Sequence, residues 1–171
     1  MIRLLLVLLT SAAIMGCEDD NPYWDASNWD MNQTADRLVT LLQAQTSILS
    51  QASVETPLPA SLQRELWALV LDEYDTAFEV YVRLNRNGHL IAPFCSTLSD
   101  RVEPAERERQ QALEHLRAQG LDVIRRSAPS LDAWESLEPR LADHSASSLI
   151  TRCMIDSGFQ HRNLPEHESV R

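Results

Sequence analysis

At 171 residues, with 44% apolar residues and only 4 glycines, the chain suits one helical domain plus extensions and is long enough to bury a core of its own. Its net charge of −10, with arginine supplying all 15 basic residues, argues against sequence-independent nucleic-acid binding and against attraction to anionic lipid, both of which need clustered cations. G-x-S-x-G, H-E-x-x-H, C-x-x-C-H, a calcium loop and a phosphate-cradling glycine loop are all missing, so no catalytic residue, cofactor or metal ligand is assigned.

Met1-Ile2-Arg3 forms a minimal positive segment, and Leu4 to Ile14 is apolar but too short to span a bilayer as a stable helix. The next residues, Ile14-Met15-Gly16-Cys17, resemble the lipobox of bacterial lipoproteins. Met15 stands where Ala, Ser or Thr is commoner. The resemblance covers this segment only. It implies removal of residues 1–16, lipidation of Cys17, and a mature chain anchored by its acyl groups in the bacterial envelope and facing the periplasm. Glu18-Asp19-Asp20 only partly matches the Asp signal for inner-membrane retention, which favours the outer membrane.

Residues 17–30 read as a short acidic tether, broken by Asn21-Pro22 and carrying Tyr23, Trp24 and Trp29. These aromatics either pack back on the domain or sit near headgroups, or they form a short linear motif for a partner. The domain is expected to run from 31 to 158, as an all-α bundle of about five helices, with a frayed tail over 159–171.

Asp30 or Asn32 can cap a first helix reaching about Ser53, whose buried line of Met31, Ala35, Leu38, Leu42, Leu49 and Ala52 is interrupted by Gln45. Between Leu38 and Val54 no residue is charged, so its other face, Gln43 included, is Gln, Thr and Ser. That face is either plain surface or a docking surface, since interface centres are poor in charge.

The stretch Ser61 to Asn85 organises the rest. At 100° per residue, Leu62, Leu66, Leu69, Val70, Ala77, Val80 and Leu84 form an aliphatic sector. Trp67, Leu71, Tyr74, Phe78 and Tyr81 form an adjoining aromatic one, and Arg64, Glu65, Asp72, Asp75, Glu79 and Arg83 fill the remainder. An apolar arc of roughly 200° needs covering on two sides, so this is the predicted central helix. The aromatic stripe is either core or a groove for a ligand or partner. Glu73 contradicts its sector: it is either paired with an arginine such as Arg37 or bonded to polar side chains, or it is a carboxylate marking a site.

His89 to Arg101 reads as a loop carrying Cys95. A third helix opens at Glu103-Pro104, with Ala105, Ala112, Leu113 and Leu116 inward and Glu106, Arg107, Glu108, Arg109, Glu114 and Arg117 outward. Gly120 ends or kinks it. Ser130 caps a fourth helix with Leu131, Trp134 and Leu137, and Pro139 starts or kinks a fifth that Gly158 closes. With Cys17 lipidated, Cys95 and Cys153 are an even pair in an oxidising compartment and read as a disulfide, ahead of a redox or zinc pair.

The function expected is a non-enzymatic docking or localisation module for an envelope protein. In general design the chain resembles the small helical, disulfide-bearing lipoproteins that pilot secretion machinery to the outer membrane, a likeness of class that no motif carries. The alternative is a binding or sensing module for a small apolar ligand, using Trp67, Tyr74, Phe78 and Tyr81.

Overall fold

The computed structural model describes residues 29–162, which are helical with no strand among them. In order come α1 (Met31–Leu49), α2 (Ala60–Arg86), the short α3 (Ile91–Thr97), α4 (Glu103–Ala118), the short α5 (Val123–Ser127), α6 (Leu131–Asp143) and α7 (Ala146–Arg162). Five of these have 13 residues or more, giving the expected all-α bundle. The expected signal segment, Cys17, Tyr23, Trp24 and the residues from 163 lie outside the described residues.

Local chemistry sets the boundaries. Asp30 caps α1 by accepting from the Gln33 backbone N–H at 3.0 Å. The helix stops at Leu49, short of Ser53, where hydroxyls take over the backbone's hydrogen bonds: Ser50 Oγ donates to Ser47 O, and Ser53 Oγ accepts from Thr56 N. The expected loop over 89–101 is instead helical: a 3₁₀ turn at Gly88–Leu90, then α3, then a π-helical turn at Leu98–Val102 that runs into α4. Pro93 is tolerated because it falls in the first turn of α3. Phe94, Leu98, Val102 and Ala105, three or four residues apart, give this stretch a buried face.

At the end of α4, Gly120 adopts φ +77°, Leu121 N donates to Leu116 O at 2.9 Å, and Gly120 N donates to Arg117 O at 2.8 Å, the paired bonds of a Schellman stop. A Cβ at Gly120 would meet nothing within 4 Å, so an alanine there strains only the backbone. Gly120→Ala is expected to cost about 1 kcal/mol, seen as a Tm fall of about 2–4 °C, while Gly88→Ala, with no positive φ, leaves Tm unchanged or higher.

Pro139 neither starts nor breaks a helix, since α6 passes through it. The break falls at His144–Ser145, where Ser145 and Ser148 cap each other: Ser145 N donates to Ser148 Oγ at 2.7 Å and Ser148 N to Ser145 Oγ at 3.2 Å. The backbone of α7 then continues past Gly158 to Arg162.

Two apolar clusters make the core, and α2 runs through both. Leu66 and Val70 join Ile48, Leu49, Leu113, Leu116, Ile124 and Leu137 in one. Ala77, Val80 and Leu84 join Ala35, Leu38, Leu42, Phe94, Leu98 and Leu149 in the other. The order of these residues makes α2 antiparallel to both α1 and α4. Trp29 closes the second cluster by stacking on Phe94 with ring centroids 5.1 Å apart, so this tether residue packs back on the domain. Cys95 and Cys153 form a disulfide, with Cα atoms 5.4 Å apart, that joins α3 to α7.

Candidate functional site

Between the two apolar clusters lies a buried polar layer, supplied by one or two residues from each of α1, α2 and α4. Gln45, Glu73, Glu106 and Arg109 are each no more than 6% exposed. Arg109 grips Glu106 with two parallel bonds, Nε to Oε2 at 2.8 Å and Nη2 to Oε1 at 2.7 Å. Its Nη1 donates to Gln45 Oε1 at 3.2 Å and lies 3.4 Å from Glu73 Oε2. Gln45 Nε2 donates to that same Glu73 oxygen at 2.9 Å. The other Glu73 oxygen accepts from the Ala146 N–H at 3.0 Å, placing a carboxylate on the positive end of α7.

Burial works against the guanidinium of Arg109, but the charge of Glu73 and the hydrogen bond and charge of Glu106 outweigh it and raise its pKa above the ordinary arginine value. Arg109 therefore stays cationic. Glu73 has both oxygens committed to donors from three helices, so this carboxylate ties α1, α4 and α7 to α2. A cleft of about 280 Å³ between α4, α5 and α6 reaches Glu73 and Arg109, walled by Val70, Leu113, Trp134 and Leu141, and no histidine among the described residues lines it.

Glu73 is held by an arginine and a polar side chain, but the arginine is Arg109 with Gln45 beside it, and Arg37, the example expected, is exposed on α1. Glu106 and Arg109 do not face water, because they sit on the same stripe of α4 as Ala105, Leu113 and Leu116 and neutralise each other there. Arg83, expected on the polar arc, is also buried: it bonds Glu79 at 2.8 Å and stacks over the Trp29 ring at 5.6 Å.

The second feature is the aromatic sector of α2. Its residues do not share one fate. Trp67 is half-buried against the first apolar cluster, and Tyr81 against the second. Tyr74 stacks on Phe78 at 6.0 Å. The imidazole of His144, at the α6–α7 break, meets the rings of Tyr74, Phe78 and Tyr81 edge-on at 6.3, 5.1 and 4.6 Å. His144 Nδ1 is sealed with no hydrogen-bond partner among the described residues, so packing alone holds that side of the ring. His144 thus fills the space between the three aromatics. What remains outside is a ridge: Phe78 is 40% exposed and Leu71 37%, with Tyr74 between them partly buried against the first apolar cluster.

Of the other predicted site residues, Gln43 is exposed on the uncharged face of α1, with Thr40, Ser47 and Gln51, and joins neither feature. Sequence reasoning missed His144, Glu106 and Arg109 as members of these clusters. For Arg109 a signal existed, since it falls four residues after Ala105 and four before Leu113, on the inward stripe. No family model, curated protein or solved structure matches the chain.

Proposed function

We propose that this chain is a lipid-anchored protein of the bacterial envelope, facing the periplasm with the outer membrane favoured over the inner, that docks another envelope protein without performing chemistry on it. The observation that carries the docking role is the Leu71–Tyr74–Phe78 ridge, an apolar strip on the surface of a helix whose other large apolar residues are buried or partly buried. The lipobox-like Ile14-Met15-Gly16-Cys17 supports the anchor. Filling of the aromatic groove by His144 favours docking over the alternative of a small apolar ligand held there. The uncharged outer face of α1 offers a second surface of the kind interfaces use.

The test is affinity capture of the tagged full-length chain from gently solubilised envelopes. A stoichiometric partner should be recovered with the natural chain and fall at least tenfold with Phe78→Asp or Cys17→Ser. Equal recovery from Phe78→Asp would remove the ridge from the docking role, and recovery of the chain alone under crosslinking would remove the role itself.

A further inference from the structure

We propose that the ridge on α2 receives a basic amphipathic helix of the partner protein; this deepens the docking reading and rests on it. Leu71, Tyr74 and Phe78 follow the i, i+3, i+7 spacing of a helix-on-helix contact, and seven residues of α2 cover about 10 Å, two turns of an occupant. One edge of the ridge is acidic. Asp72 and Asp75 are exposed about 100° and 40° around the helix from Leu71, and neither has an ion pair among the described residues. Glu79, on the same edge, is already held by Arg83. The opposite flank carries both signs, with exposed Asp143 beside His144 and the Arg152 guanidinium 4.9 Å over the Tyr81 ring.

An apolar strip with one acidic edge selects its occupant by charge. A second copy of this chain would set like charges against Asp72 and Asp75, and an anionic lipid surface would be repelled by a chain of net charge −10. A helix whose apolar stripe is bordered by Lys or Arg satisfies both requirements. The long-range field speeds its arrival, and the ridge supplies the contact.

The experiment uses two synthetic 18-residue helices with the same Leu-rich face, one with Lys and Arg on its polar face and the other with Glu. Each is titrated into the full chain, held in phosphatidylcholine nanodiscs, with empty nanodiscs subtracted. The basic helix should bind at least tenfold more tightly and weaken as salt rises from about 50 to about 500 mM. Asp72→Asn with Asp75→Asn should weaken it about fivefold without loss of helicity, since both residues are exposed. Equal binding of the two helices, indifference to the Asp72/Asp75 change, or no binding of either up to about 1 mM overturns the proposal. If Phe78→Asp still abolishes capture of the envelope partner, docking stands and only the chemistry of the occupant is wrong. If Phe78→Asp changes neither assay, the ridge loses the docking role and this proposal falls with it.

Discussion

Arg109→Met is expected to destabilise the protein by about 3–5 kcal/mol, a Tm fall of roughly 10–15 °C, because it leaves Glu73 and Glu106 buried without their cation. The methionine fits the volume, so lost packing contributes little and the cost is electrostatic. Arg109→Lys separates charge from geometry. A lysine keeps the charge but cannot hold Glu106 with two parallel bonds while also reaching Gln45 and Glu73. It should recover part of the loss. Urea unfolding of the three proteins gives the comparison directly, and a cost for Arg109→Met under about 1 kcal/mol would show that the polar layer does not hold the helices together. Because burial is outweighed by the two carboxylates and the pKa of Arg109 is raised, no pH compatible with folding removes this charge, and only substitution tests it.

Removing the disulfide is the second large effect. Cys95 and Cys153 are 58 residues apart, and closing a loop of that size is worth about 4 kcal/mol in the chain-entropy model. A Cys95→Ala/Cys153→Ala chain should lose about that much, and reductant should shift the natural protein by the same amount while leaving the double variant unmoved. The loss should fall hardest on α7, which the bond ties to α3 beside Phe94, Leu98 and Leu149. A difference below about 1 kcal/mol would mean that the noncovalent contacts of α7 suffice.

How much of this is legible in the sequence depends on how many residues each decision involves. The helical class, the breadth of the apolar arc on α2, the Asp30 cap and the cysteine pair follow from spacing or parity within one segment. The stretch 89–101 misleads because Pro93 and Gly88 suggest a loop, although the spacing of Phe94, Leu98 and Val102 is helical. The pairing of Glu73 is not legible, because it needs the register of three helices at once. Gln45 lies between Leu42 and Leu49, Glu73 between Val70 and Ala77, and Arg109 between Ala105 and Leu113. Each is a visible flaw in its own stripe, but one sequence does not say that the three flaws meet. The exposed ridge is illegible for a related reason. Tyr74, Phe78 and Tyr81 have the periodicity of core, and only the arrival of His144 from the α6–α7 break decides which of their surfaces is left outside.

The polar layer also bears on how the bundle comes apart. Its hydrogen bonds join residues 28, 64 and 73 positions apart in the chain. A leucine core tolerates partial assembly, since any apolar neighbour will serve and each pair contributes alone. Here a form missing α4 would strand Gln45 and Glu73 without Arg109, and a form missing α7 would strip Glu73 of the Ala146 N–H. Intermediates that lack α4 or α7 thus lose partners of the layer, which disfavours them relative to both end states. Unfolding is thereby driven toward a single all-or-none transition, in place of helix-by-helix fraying, and the layer acts on the protein's cooperativity as much as on its depth of stability.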